Sequence, residues 1–169
     1  QQQLFLTLQE KQLQKQCLMM KNHLPKKKMK KIFNNDYLNE DGGIKYSSDK
    51  ECNDWDKTEI KRGLNNEFLK EFNKEELLMM KTNYDKDKYS FDYIRIPEVR
   101  EIEKLDRNKI ASDKICWTMT PSFFDATSGH AGEWYLNCAG CLNPWSYVAF
   151  WLGVRPVITL KNDNQKIEK

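Results

Sequence analysis

Between residues 115 and 154 the only charged side chains are Asp125 and Glu133, and nine of the chain's twenty aromatic residues lie between Trp117 and Trp151. A stretch this apolar has to supply much of the core. It also holds Gly129, Gly132, Gly140, Gly153, Pro121 and Pro144. That many turn formers exclude a long helix and predict short strands joined by irregular loops, with strands at 115–120, 133–138 and 153–160.

The remainder of the 169 residues is polar, and charged residues make up 31% of the whole. Aromatics at 12% are too plentiful for a fully disordered chain. No run approaches the roughly 18 apolar residues of a membrane-spanning helix, so no transmembrane segment is expected. The chain starts at Gln1 rather than Met, which reads as a fragment or processed product, and no signal peptide is present in it. Residues 1–33 carry eight Lys against the single acid Glu10, a net +7 within an overall +3, leaving −4 for the rest. This leader, helical or degenerate, reads as a solvated basic linker. It lacks the Arg and interleaved aromatics of a specific nucleic-acid surface, so no specific nucleic-acid partner is expected. The expected organisation is a leader at 1–33, a folded domain at 34–161 and a polar tail at 162–169.

Leu4, Leu6 and Leu8 alternate as in a strand, whereas Leu6, Leu13, Cys17, Met20 and Leu24 share a helical face. Ile60, Leu64, Phe68 and Phe72, spaced by four, predict an amphipathic helix over 57–72 capped by Asp56 or Thr58. Gly63 weakens that helix by about 1 kcal/mol relative to Ala. Asn73 and Glu76 form a capping-box pattern opening a second helix through Met80. Alternation over 89–96 predicts a strand, and Pro97 opens a helix with Val99, Ile102 and Leu105 facing inward. Helices mostly precede strands, so the fold class is α+β.

Five ordered segments carry a family resemblance: the helix running from Trp55 to Phe68, Tyr93-Ile94-Arg95-Ile96-Pro97-Glu98-Val99, Cys116-Trp117-Thr118-Met119-Thr120-Pro121, Trp134-Tyr135-Leu136-Asn137-Cys138-Ala139-Gly140, and Gly153-Val154-Arg155-Pro156-Val157-Ile158-Thr159-Leu160-Lys161. Together they resemble a C-type-lectin-like domain of unknown function found in bacterial surface, pilin-like and phage-encoded proteins. More distantly they resemble formylglycine-generating-enzyme-like domains and retroelement-diversified binding proteins. The resemblance implies two helices packed on a small, mainly antiparallel sheet with long loops. It also implies display at a cell surface or outside the cell. Gly63 stands where the family usually has Trp, and Met119 often corresponds to Arg. The sugar-binding triplets of calcium-dependent lectins are absent, so neither a calcium site nor any metal or other cofactor is expected.

In the retroelement-diversified relatives the positions before the closing strand form the binding face. By resemblance Asn137, Asn143, Trp145, Ser146 and Tyr147 would contact a protein or carbohydrate ligand from an aromatic and Asn-rich loop face, while Trp117, Trp134, Arg155 and Pro156 would be structural. Core placement competes for each Trp. Arg155 reads as a ligand-contacting guanidinium or as a buried structural donor. Cys138 and Cys141 have the spacing of a redox or zinc pair, or simply flank a hairpin turn. His130 reads as an exposed loop residue, and Asp125 with Glu133 as a carboxylate pair or as solvated groups. The expected function is therefore non-enzymatic recognition. The alternatives are an enzyme, formylglycine-generating-like or a hydrolase using Asp125, Glu133 or His130, and a purely structural domain of a pilin-like subunit.

Overall fold

The computed structural model describes residues 16–20, 22–85 and 90–161. In chain order the elements are β1 (Gln16–Met19), α1 (Lys26–Ile32), β2 (Ile44–Lys45), α2 (Glu59–Asn65), α3 (Lys74–Met79), β3 (Met80–Lys81), β4 (Asn83–Asp85), β5 (Ser90–Asp92), β6 (Ile94–Arg95), α4 (Val99–Ile102), α5 (Arg107–Ile110), β7 (Cys116–Asp125), β8 (His130–Leu136), β9 (Leu142–Tyr147), β10 (Trp151–Leu152) and β11 (Val157–Leu160). The class is α+β with antiparallel sheets. The closing strand β11 pairs with β1 on one side, and with β3 and β6 end to end on the other. A second sheet is the meander β7-β8-β9, and β2–β10 and β4–β5 are two-stranded ribbons.

The core gathers where these sheets meet. Trp117 is fully buried, its Nε1–H donates to the Ile44 carbonyl at 2.7 Å, and it meets Tyr46 edge-on at 5.5 Å. Ile60, Leu64, Ile94, Ile96, Val148 and Val154 fill the same cluster. A bridge between Cys116 and Gly153 ties β7 to the segment entering β11. Arg155 lies fully buried in that segment, with Nη1 donating to the Ile110 carbonyl at 2.7 Å, and Pro156 is buried beside it.

The structure corrects several expectations. The boundary at residue 34 does not hold: β1 pairs with the closing strand, and Leu24, Met29, Ile32 and Phe33 are core residues. The Lys run is helix α1, whose apolar residues face inward while Lys28 pairs with Glu71 at 2.6 Å. The ambiguity over residues 4–13 and the tail at 162–169 lie outside the described residues. The resemblance implied two helices and the residue pattern three, and the described residues hold five short ones. The helix over 57–72 stops at Asn65, whose carboxamide accepts from the Tyr93 and Ile94 amides and donates to the Lys61 and Ile94 carbonyls. Phe68 and Phe72 then stay buried on a separate 3₁₀ turn. Thr58, not Asp56, caps α2, and the Asn73–Glu76 capping box forms as expected. The strand over 89–96 is interrupted at Tyr93 into β5 and β6, with Tyr89 outside the described residues.

Gly63 is required rather than tolerated. A Cβ at this position would lie 2.3 Å from the ring of Phe33, itself buried. Helix propensity favours Ala by about 1 kcal/mol, but overpacking a filled core costs about 1–3 kcal/mol. Gly63→Ala is therefore expected to lower the urea midpoint of unfolding with an unchanged m-value. A higher midpoint would show that the Phe33 ring yields freely.

Candidate binding face

The aromatic block forms a strand face rather than a loop face. Residues 142–147, expected as loop, form β9, and β7 runs past Pro121 to Asp125 through two register irregularities. Side chains alternate across a strand. On β9 this turns Trp145 and Tyr147 to one side and Ser146 to the other, so Trp145 is 73% exposed while Ser146 is buried. Opposite Tyr147 in the ladder stands Gly132. A Cβ there would lie 2.2 Å from the ring of Phe123. The missing side chain is thus the space in which that ring lies.

A continuous row of rings results. Phe123 meets Trp145 at 5.3 Å and Tyr147 at 5.6 Å between centroids. Tyr147 in turn meets Phe150 at 5.7 Å and His130 at 4.9 Å. Offset and edge-on pairs of this kind each add about 0.5–1.5 kcal/mol beyond burial. They hold the rings in place although Trp145 and Phe150 face solvent.

A polar rim borders the row. Asp125 accepts from the Ser128 hydroxyl at 2.6 Å, the Thr127 amide at 2.9 Å and the Tyr147 hydroxyl at 3.2 Å. The Ser128 bond first, then the Thr127 amide, hold its carboxyl below the usual aspartate range. His130 pairs with Asp125 across the hairpin and is half-buried, not the exposed loop residue expected. Its Nδ1 has no hydrogen-bond partner among the described residues, and the Ser128 hydroxyl goes to Asp125 instead. Ser128, His130 and an acid therefore do not assemble into a nucleophile relay.

Beneath the row lies Glu133, fully buried, opposite Ser146 on β9 and Pro121 on β7. The Tyr46 hydroxyl is the polar group set against its carboxyl, within reach of a side-chain hydrogen bond. Burial pushes Glu133 up to about 9, and raises Tyr46 with it. Glu133 is thus a neutral acid at pH 7, below the sheet, while Asp125 is ionised at the rim. They do not form a carboxylate pair.

Of the five residues expected to touch ligand, Trp145 and Tyr147 lie together on the face. Ser146 points under it. Asn143 accepts from the Trp145 amide at 2.9 Å, and Asn137 accepts from the Ala139 and Cys141 amides, so both carboxamides hold local turns. Trp117 and Arg155 are wholly interior, Pro156 is buried, and Trp134 is half-buried with its carbonyl accepting from the Thr118 hydroxyl. Phe123 and Gly132 were missed. The signal for Gly132 was its place opposite Tyr147, legible only once β9 is recognised as a strand. Cys52, Cys116, Cys138 and Cys141 are free thiols. No cluster of three or more His, Cys, Asp or Glu placed to hold a metal occurs among the described residues. Nor is any helix among them long and apolar enough to cross a membrane.

No protein-family model, curated protein or solved structure matches the chain.

The buried acid gives a pH signature. Its folded value, about 9, lies above the ordinary 4.5, so its stabilising effect is complete below pH 4.5 and is lost progressively as pH rises towards 9. Between pH 4.5 and 7 this amounts to about 3 kcal/mol at 1.36 kcal/mol per unit. Glu133→Gln lacks the titration. Denaturant unfolding at the two pH values should show the wild type losing about 3 kcal/mol relative to the variant. Parallel pH profiles would show Glu133 ionised in the folded protein.

Proposed function

We propose that this protein is a non-enzymatic recognition module of C-type-lectin-like fold, displayed at a bacterial surface or on a phage, that binds a protein or glycan through the outer face of β7-β8-β9. The observation that carries this reading is the row of rings from Trp145 through Phe123 to Tyr147, fixed from below and open to solvent at Trp145. Trp and Tyr present large, rigid contact area with few rotors to freeze, and they dominate binding hot spots. Large apolar side chains left exposed in one place mark interaction sites more often than chance.

The fold assignment draws support from the resemblance of the five segments and from the connectivity around them. A closing strand entered through Gly153-Val154-Arg155-Pro156 pairs with a strand near the start of the chain, and long irregular segments lie between. Against a hydrolase stands the state of the acids. Glu133 is sealed below the sheet, and Asp125 is already engaged by Ser128, Thr127 and Tyr147.

The test is a glycan array and a protein array probed with the wild type and Trp145→Ala. Trp145 is largely exposed and loses only its contact with Phe123, so the variant should stay folded with its stability lowered by no more than the roughly 0.5–1.5 kcal/mol of that ring pair. Its binding to whichever ligand the wild type captures should fall by about 30-fold, the effect of losing a 2 kcal/mol hot spot. Undiminished binding by Trp145→Ala, or no ligand on either array, would overturn the reading.

A further inference from the structure

We propose that Cys138 and Cys141 are a redox-active dithiol that closes into a disulfide within the β8–β9 turn by exchange with a low-molecular-weight disulfide. This proposal stands apart from whatever the aromatic face binds.

The turn is a three-residue hairpin loop. The Gly140 amide donates to the Asn137 carbonyl at 3.1 Å and the Asn137 amide to the Cys141 carbonyl at 2.9 Å, with Gly140 at φ 78°. That is a type I turn closed by a left-handed residue. Asn137 Oδ1 also accepts from the Ala139 and Cys141 amides, at 3.0 and 2.9 Å, fixing the backbone between the two thiols. The bond between the Asn137 amide and the Cys141 carbonyl sets Cys141 directly opposite Asn137, so Cys138, the next residue, stands across the chain reversal from Cys141; a disulfide needs Cα atoms about 4.4–6.8 Å apart. A Cβ on Gly140 would lie 2.4 Å from the Arg107 carbonyl oxygen, so the loop sits directly against α5.

The thiols are placed for different roles. Both are free; Cys138 is exposed and Cys141 half-buried. Cys138 is therefore the sulfur an incoming disulfide reaches, and Cys141 the one that resolves the adduct. Cys116, on the neighbouring strand, does not compete. It is buried, and that burial pushes its ionisation up to about 12, which withholds the nucleophilic thiolate.

The exchange balances in two displacements. The Cys138 thiolate attacks one sulfur of the disulfide; a Cys138 mixed disulfide forms and one thiol leaves. The Cys141 thiolate then attacks the Cys138 sulfur; the Cys138–Cys141 bond forms and the second thiol leaves. The protein gives up two electrons and two protons, and the incoming disulfide is reduced to two thiols.

The test treats the full chain with glutathione disulfide, blocks remaining thiols with an alkylating agent and maps the peptides by mass. In the wild type the peptide should carry a Cys138–Cys141 disulfide and no glutathione, and it should return to two alkylatable thiols after reduction. Cys141→Ser should instead accumulate glutathione on Cys138. Cys141 is half-buried, and a circular dichroism melt checks that the variant is folded. A wild type that holds glutathione on Cys138 with Cys141 still alkylatable would overturn the proposal. So would a Cys138–Cys116 link, or two cysteines that stay free throughout.

Discussion

The bond from the Trp117 indole to the Ile44 carbonyl is the point at which the separate parts of this molecule are joined. A buried indole N–H needs an acceptor, and here it takes one at 2.7 Å from a strand of a different sheet. The same residue's backbone amide donates to the Gly153 carbonyl at 3.0 Å, which fixes the entry to the closing strand. Tyr46 packs edge-on against its ring. Truncating a buried aromatic of this kind costs about 3–5 kcal/mol, a large share of the roughly 5–15 kcal/mol that holds a whole domain together. Because Trp117 opens β7, everything that the second sheet presents further along depends on it.

That sheet meets opposite demands on its two sides. Below, Ala131, Glu133, Ser146 and Val148 are all buried, and Glu133 is accommodated there only as the neutral acid. Above, Trp145 and Phe150 stay exposed, held by contact with Phe123 and Tyr147. The alternation of side chains along β8 and β9 keeps the two apart, and Gly132 is where they touch. It has no side chain of its own, so the Phe123 ring lies directly over the backbone, next to Glu133, whose side chain points inward. The face is thus fixed from beneath as well as from its flanks. An exposed aromatic surface held in one arrangement is suited to binding, because little freedom remains to be lost when a partner arrives.

Some of this was legible in the residues and some was not, for identifiable reasons. The α+β class followed from period and turn formers, and the capping box at Asn73 followed from local chemistry that needs no tertiary context. The anchoring of α2 through the Asn65 carboxamide did not, because its partners Tyr93 and Ile94 lie 28 and 29 residues away, and spacing by four cannot reveal that. Gly63 looked like a weakness when judged by propensity alone; its reason is the ring of Phe33, thirty positions earlier. The Lys run concealed Met29 and Ile32, whose inward spacing makes α1 part of the core. Trp145 and Tyr147 were singled out by residue type, whereas Phe123 lies beyond a proline and a bulge, where no regular period survives.

The central claim is that the ring row on β7-β8-β9 is where a partner is recognised, and the indole N–H resonances of the five tryptophans test it most directly. In a titration of the isotope-labelled protein with an array-selected ligand, the Trp145 signal is predicted to shift with saturation while that of Trp117 stays in place. A saturating titration that leaves Trp145 unmoved would contradict the account.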